Sequence, residues 1–180
     1  MNVSEFKKGL EGCVPDIADL VKVGLLSGEV DQFRRSFFIL GREESSKELG
    51  LPGQLGELFE KYDPSHVEIG MLRFGLEPQK KNSNWVIGQV EADLLVVDIV
   101  SGEVCVEDFT AVQKHILWLC AKNGESFLAA LLPAACFLGR CLHDERLAGD
   151  EYRRKSCVDA CVIAAGGEPY RPFYQMLIGS

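Results

Sequence analysis

The stretch NWVIGQVEADLLVVDIVSGEVCVED, residues 84–108, decides the fold of this chain. Two apolar runs, residues 85–90 and 94–100, are rich in β-branched side chains and are separated by a polar turn. A second turn leads into a third run, residues 103–108, in which apolar and polar side chains alternate. The pattern predicts three short strands joined by tight turns, as in an antiparallel meander.

The middle run of this stretch is apolar on both faces except at Asp98, which predicts a strand covered on both sides. In the third run Val104 and Val106 share one face, and Glu103, Cys105 and Glu107 share the other. The Asp98 carboxylate precedes a turn at Gly102, where it can accept hydrogen bonds from turn amides. We therefore expect Asp98 to have a structural role.

Helices are predicted on both sides of the meander, because apolar residues recur there at helical spacing. They fall at residues 15–26, 30–40, 54–62, 125–142 and 150–165. Pro133 is expected to kink or break the fourth of these helices, and two glycines at 166–167 are expected to end the last one.

Two further strands are predicted outside the meander, at residues 67–76, with an irregularity at glycine, and at residues 115–121. Polar or charged stretches are expected to form a loop or loose helix at 41–50, a turn at 77–83 and a loop at 143–149. A last short segment, 170–178, carries apolar side chains. Together these elements predict one α+β domain over residues 1–180, with a mostly antiparallel or mixed sheet flanked by helices.

Composition places the chain among ordinary globular proteins. It has 180 residues, 47% of them hydrophobic and 26% charged, which is enough for a core of its own. A formal net charge of −8 and a pI of about 4.9 disfavour nucleic-acid binding. The acidity has two open interpretations, a basic partner surface or simple solubility.

The cysteine pattern predicts reduced thiols. Seven cysteines, an odd number, are scattered through apolar surroundings, and the opening MNVSEFKKGLEG lacks the apolar core of a signal peptide. The longest apolar run, residues 127–138, contains Pro133 and is shorter than the roughly 20 residues of a membrane span. We therefore expect a cytoplasmic protein without a membrane segment.

A metal site is one interpretation of a stretch in which cysteine and histidine cluster in sequence. The residues concerned are Cys136, Cys141, His143, Cys157 and Cys161. Their spacings, C-x4-C-x-H and C-x3-C, lie within apolar helical patterns, whereas structural zinc is usually held by a knuckle in a loop. Packing of small hydrophobic thiols is the favoured interpretation, and metal binding stays open. We expect no metal ligands and no cofactor.

Signatures of catalysis are missing from the sequence. There is no G-x-S-x-G element, no Walker A loop and no G-x-G-x-x-G element. Paired carboxylates occur at Glu43 with Glu44, Glu91 with Asp93, and Glu107 with Asp108, and their pattern predicts exposed side chains. The sequence therefore predicts a protein without catalytic residues, one that binds another molecule instead of acting as an enzyme.

Several short motifs follow one another in an order that resembles the SUKH superfamily. They are Leu49-Gly50-Leu51-Pro52, Trp85-Val86-Ile87-Gly88, Leu95-Val96-Val97-Asp98, Gly102-Glu103-Val104 and Asn123-Gly124-Glu125-Ser126-Phe127-Leu128. The resemblance covers residues 49–142 and leaves helical extensions at both ends. One aromatic of the last motif is missing, since Ala129, Ala130 and Leu131 follow, which leaves the subfamily open.

This resemblance implies an α+β domain with a mostly antiparallel sheet. The superfamily includes bacterial immunity proteins and the fungal Smi/Knr-type regulators. It thus implies a non-enzymatic protein that binds a cognate polymorphic toxin with a basic surface, of the nuclease or deaminase class, and occludes its active site. The alternative that it implies is a regulatory scaffold acting on cell-envelope synthesis or another cytosolic pathway.

On that interpretation, acidic residues near exposed aromatic ones should carry the affinity, because anchors ringed by charge dominate interfaces. Trp85 is equally consistent with a place in the core. The candidate partner-binding residues are Tyr62, Asp63, Glu68, Trp85, Glu91, Asp93, Glu103, Glu107 and Asp108. The toxin's identity and the oligomeric state stay open.

Overall fold

The computed structural model describes residues 1–42, 49–81 and 83–180. Its centre is a six-stranded antiparallel sheet in which each strand pairs with its neighbour in sequence. The six strands are β3 (Glu68–Ile69), β4 (Leu72–Lys81), β5 (Asn84–Val90), β6 (Asp93–Asp98), β7 (Val104–Glu107) and β8 (Ile116–Ala121). A separate two-stranded antiparallel sheet joins β1 (Leu40–Gly41) to β2 (Tyr62–Asp63).

Helices pack around the six-stranded sheet. They are α1 (Val3–Glu11), α2 (Ile17–Lys22), α3 (Ser27–Arg35), α4 (Gly53–Lys61), α5 (Gly124–Cys141), α6 (Glu145–Gly149), α7 (Glu151–Ala165) and α8 (Arg171–Ile178). The central one is α5, which contacts α1, α4, α7, α8 and β8. Its Phe127 ring packs edge-on against Phe74 of β4, with centroids 6.4 Å apart, and Phe74 packs in the same way against Phe59 of α4. The predicted α+β fold is confirmed.

The meander forms in the predicted order, but β6 ends at Asp98, and Ile99 and Val100, which were predicted in this strand, lie in the turn after it and are exposed. Its strands β5, β6 and β7 pair in sequence order, with Val97 opposite Val104. Leu95, Val96 and Val97 are almost inaccessible, so β6 is covered on both faces. Asp98 accepts hydrogen bonds from the backbone N–H groups of Val100 and Ser101, both at 3.0 Å, as expected of a turn acceptor.

The predictions around the first half of the sheet need correction. Instead of one strand at 67–76, the chain reverses at Gly70, whose φ of +59° suits glycine, and β4 then runs on to Lys81. The polar residues predicted as a turn at 77–83 thus lie mostly in a strand. Pairing of Lys81 with Asn84 supplies the hydrogen bonds that local sequence does not reveal.

The N-terminal helices differ from the predicted ones in extent. The helix predicted at 15–26 is shortened to α2, and the one predicted at 30–40 begins and ends earlier, as α3. Glu29 accepts a hydrogen bond from the N–H of Leu26 at 2.8 Å and so fixes the start of α3. Beyond its end, Phe37 and Ile39 turn into the core.

Helices α1 and α6 were not predicted at all, and the segment 170–178, for which no secondary structure was predicted, forms α8. At α1, the Asn2 side chain accepts from the N–H of Glu5, and the Glu5 carboxylate accepts from the N–H of Asn2. At α6, inside the predicted loop 143–149, the Asp144 carboxylate accepts from the N–H groups of Arg146 and Leu147. Capping side chains therefore define both helices.

The remaining long elements match their predictions. Helices at 54–62, 125–142 and 150–165 and the strand at 115–121 are confirmed as α4, α5, α7 and β8. Of the kink or break predicted at Pro133, the break is wrong, since α5 is continuous across it. Of the loop or loose helix predicted at 41–50, residues 43–48 lie outside the described part of the chain.

Helix α5 also meets the length and hydropathy criteria of a membrane span, over Gly124–Cys141, with 50% of that window buried. The core helix of a water-soluble protein meets the same criteria, so this is weak evidence for a membrane segment. Here its neighbours in the fold cover the apolar side chains of α5, among them Phe127, Leu128 and Leu131.

A disulfide joins Cys13, in the turn after α1, to Cys136 on α5, with 4.7 Å between their Cα atoms. The expectation of seven reduced thiols is therefore wrong for this pair, and the other five cysteines have free thiols. The pair meets because α1 lies close to α5: a Cβ on Gly9 would be only 2.5 Å from a methyl of Leu132. Sequence spacing does not reveal a contact across 123 residues.

Candidate functional site

The loop between β7 and β8, residues 108–115, presents apolar side chains to solvent. Phe109 is 61% exposed and Val112 is fully exposed. The base of the loop is closed by a hydrogen bond from the N–H of Asp108 to the carbonyl of His115, at 3.0 Å. The Asp108 carboxylate accepts from the N–H and hydroxyl of Thr110, at 2.8 and 2.7 Å. These bonds hold the exposed residues in a defined loop.

Neighbouring elements attach this β7–β8 loop to the sheet. The Asp93 carboxylate at the start of β6 accepts from the N–H of Phe109 at 3.1 Å. The Lys114 ammonium lies 3.0 Å from the Asp98 carboxylate and 3.6 Å from that of Glu107. Glu107 also accepts a hydrogen bond from the side-chain amide of Asn84, which is buried. The loop is thus tied to β5, β6 and β7 together.

The charges of this cluster indicate a structural ion pair. Hydrogen bonds from the Ser101 N–H and from Lys114 lower the pKa of Asp98 to about 2. The hydrogen bond with Asp98 raises the pKa of Lys114. Burial raises the pKa of the nearby Cys105 thiol to about 12. None of these three groups exchanges a proton near neutral pH, as an acid–base catalyst must.

The space beneath the loop is small. A cavity of about 140 Å³ lies between the loop and the strands and is lined by Asn84, Glu107 and Lys114, among others. Small-molecule sites usually measure about 300–1,000 Å³. The cluster of Asn84, Glu107 and Lys114 therefore holds the loop in place. Another molecule can contact the loop at its outer surface.

Three of the nine predicted partner-binding residues, Asp93, Glu107 and Asp108, come together at this loop. Two expectations need correction here: the side chains of Asp108 and Glu107 were predicted to be exposed and are only 25% and 13% exposed. The Glu107 side chain is the more buried of the two. Its hydrogen bond with Asn84 and its proximity to Lys114 explain the burial. Glu107 therefore supports the loop from below.

The other predicted residues lie elsewhere. Tyr62 and Asp63 form β2, and the Lys7 ammonium is 5.6 Å from the centre of the Tyr62 ring. In β3, Glu68 forms an exposed ion pair with Arg73 at 2.8 Å. Glu91 occupies the β5–β6 turn with a φ of +53°.

Glu103 and Trp85 also have contacts within the fold. The hydroxyl of Tyr170 donates a hydrogen bond to Glu103 at 3.0 Å. Trp85 is half-buried, packs against the core and has the Lys80 ammonium 6.0 Å from its ring centre. The nine residues are therefore spread over two sheets and both ends of the meander.

Phe109, Val112 and Lys114 were not singled out by sequence reasoning. The available signal was the pair of apolar side chains in a short connection between two predicted strands, directly after Glu107 and Asp108. Exposed apolar residues in a loop are a better indication of a contact surface than acidic residues alone.

Three cysteines of this cluster have bonding or packing partners in the fold. Cys136 is bonded to Cys13, and Cys157 and Cys161 are buried along α7. The Cys157 thiol donates to the carbonyl of Pro133 at 3.5 Å. Within residues 1–42, 49–81 and 83–180, no group of three or more His, Cys, Asp or Glu side chains is arranged to hold a metal ion.

No family model, curated protein or solved structure matches this chain. The resemblance to the SUKH superfamily therefore stays a prediction based on the order of its motifs.

Proposed function

We propose that this protein is a non-enzymatic immunity protein that binds a cognate toxin of the nuclease or deaminase class and covers its active site. The observation that carries the proposal is the β7–β8 loop, which holds exposed Phe109 and Val112 beside Asp93 and Asp108. The α+β fold is also the one that the SUKH resemblance implies. The alternative of a regulatory scaffold rests on that resemblance alone.

The physical argument has two parts. Apolar anchors near the centre of a patch, surrounded by groups that exclude water, contribute most of the energy of protein interfaces. A toxin that holds phosphates needs a basic active site, and a partner with a net charge of −8 attracts such a surface over distance. The loop would supply the anchors and the acidic surface would speed the encounter.

Co-expression tests the proposal directly. The chain is produced together with the toxin domain encoded beside its gene, and growth and co-purification are measured. We expect restored growth and a stable complex. A toxin that still kills, with no complex formed, would contradict the immunity function.

Variants of the loop test the surface. Replacing both Phe109 and Val112 by serine should weaken the complex by about 2 kcal/mol, or roughly thirtyfold in Kd, because the anchors are lost. The matched control replaces Tyr152 and Ile163 of α7, each 79% exposed, by serine and should leave Kd unchanged. Titration calorimetry measures both. If the α7 pair weakens binding and the loop pair does not, the toxin binds another surface.

A further inference from the structure

A larger cavity, of about 600 Å³, lies between α3, β3 and the C-terminal half of α5. Its apolar wall includes Phe33 and Phe37, Ile69 of β3 and Leu138 of α5. Its volume lies within the range of small-molecule sites, which are mostly apolar with a few polar groups. It is lined by residues outside the β7–β8 loop and has no part in the proposed toxin contact.

One wall of the cavity is aromatic and fixed in place. The rings of Phe33 and Phe37 pack edge to face, with centroids 5.4 Å apart and planes at 70°. Phe37 is buried against Gly139 of α5, where an added Cβ would be 3.1 Å from the ring. Phe33 is half-buried, so part of its ring is accessible.

The two charged side chains that line the cavity are both acidic, and Arg73 pairs with one of them from outside the lining. Glu29 and Glu68 line it, and no lysine or arginine is among the described residues that do. One Glu29 oxygen accepts from the N–H of Leu26 at 2.8 Å, and one Glu68 oxygen accepts from Arg73 at 2.8 Å. Each contact uses one of the two oxygens, so each carboxylate retains an acceptor for a ligand.

We propose that this cavity binds a small organic cation, an ammonium group on an apolar body. The apolar body would pack on Phe37, Ile69 and Leu138, while the ammonium group would lie near Glu29, Glu68 and the accessible ring of Phe33. Carboxylates and aromatic faces are the groups that attract ammonium ions. This ligand is independent of the toxin.

Three probes of one shape and different charge test the proposal: 4-phenylbutylamine, 4-phenylbutan-1-ol and 4-phenylbutyrate. Each is titrated at pH 7 into the full ¹⁵N-labelled chain and followed by amide chemical shifts. We expect the amine to bind roughly tenfold more tightly than the acid, because two carboxylates attract one and repel the other. The shifts should concentrate around Glu29, Phe33, Ile69 and Leu138. Equal affinities, no binding of the amine, or shifts located elsewhere would overturn the proposal.

A charge-neutralised variant distinguishes attraction of the amine by the two cavity carboxylates from attraction by the net charge of the protein. In E29Q/E68Q the amine should bind no better than the alcohol, while the affinity of the alcohol is unchanged. Glutamine also caps helices at the position of Glu29, and the Glu68 pair is exposed, so the fold should be kept.

The control, E11Q/E151Q, removes two exposed carboxylates outside the cavity and should leave amine binding intact. An equal loss of affinity for the amine in both variants would mean that only the net charge of the protein matters, and this would overturn the proposed site. One further result would overturn the proposal: the chain does not bind the amine, and a basic protein protects the cavity residues instead. The cavity would then be a docking site for a protein.

Discussion

At the scale of single residues, Asp98 illustrates how a local role and a distant one combine. Its carboxylate closes the β6–β7 turn, which the sequence predicted, and also binds Lys114 of the β7–β8 loop. The second contact is sixteen residues away in sequence and depends on the path of the loop. The same carboxylate thus stabilises the turn and helps to hold the candidate site.

Replacing Asp98 by Asn should destabilise the protein in a pH-dependent manner. The folded state lowers the pKa of Asp98 from 3.8 to about 2, so its ionised form contributes stability above about pH 4. That contribution is lost as the pH falls towards 2. Because the side chain is 23% exposed, we expect a cost of about 1–2 kcal/mol at pH 7 that shrinks towards zero near pH 2. Urea unfolding at steps from pH 7 to pH 2.5 measures it.

The control is Asp31, an exposed aspartate on α3. Its replacement by Asn should change the free energy of unfolding by less than about 0.5 kcal/mol at every pH. If the cost of Asp98→Asn is the same at pH 7 and pH 2.5, the carboxylate does not stabilise the fold through its charge.

At the scale of elements, the β4–β5 ladder depends on a glycine. On one side of β5, the register with β6 shifts at residues 86–88. On its other side, a Cβ on Gly88 would lie 2.2 Å from the backbone carbonyl of Arg73 in β4. That contact is with backbone, which cannot move without disturbing the pairing of β4 with β5. The close approach of the two strands therefore requires glycine at this position.

Gly88→Ala should lower the free energy of unfolding by about 1–3 kcal/mol, because the strands must separate to accept the methyl group. Denaturant unfolding at pH 7 measures the change. Gly28 in α3 is the control, since an added Cβ meets no atom within 4 Å there. Gly28→Ala should be neutral or stabilising by up to about 1 kcal/mol. A Gly88→Ala variant as stable as the parent would contradict the close approach.

The elements that could be predicted are those whose apolar residues repeat at a regular period. The meander and the helices α4, α5 and α7 have such patterns and were found. Helix α1 also carries apolar residues at helical spacing, Val3, Phe6 and Leu10, and was overlooked although its pattern is present in the sequence. By contrast, α6 is short and begins at a capping side chain, and the second half of β4 is polar. Caps and strand pairing decide these segments, and neither leaves a periodic pattern in the sequence.

The candidate sites were less predictable than the fold. Of the predicted partner-binding residues, Asp93, Glu107 and Asp108 meet at the β7–β8 loop, whereas Tyr62, Glu68 and Glu103 lie elsewhere, and a partner-binding role stays a prediction for all of them. A sequence shows which residues are charged but not which of them share a surface. The cavity between α3, β3 and α5 shows this limit more clearly, since the residues that line it, among them Phe33, Glu68 and Leu138, come from distant parts of the chain.

At the scale of the whole molecule, the Cys13–Cys136 bond indicates an oxidising compartment, whereas the expected cytoplasmic location is a reducing one. A disulfide that closes a loop of more than one hundred residues persists in oxidising compartments, whereas the cytosol keeps thiols reduced. The bond also connects the N-terminal helix region to α5, which is central to the core. Its state in living cells therefore bears on both stability and location.

Alkylation of the denatured protein counts the free thiols. Without reductant we expect five labels and with reductant seven, because only Cys13 and Cys136 are bonded. The Cys13→Ser variant should show six labels and lose about 2–4 kcal/mol of stability. In the control Cys141→Ser, whose thiol is free and half-buried, the count without reductant should be four and stability should change little. Seven labels in the oxidised parent would contradict the bond.

Thiols trapped by acid in intact cells then decide the location. Five labels in cells would place the protein in an oxidising compartment and count against the cytoplasmic prediction, because the cytosol reduces such a bond. Seven labels in cells and five after purification in air would instead mean that the two cysteines meet in the native fold but are bonded only outside the cell. In that case the reduced protein is the form that meets its partner, so binding should be measured with reductant present.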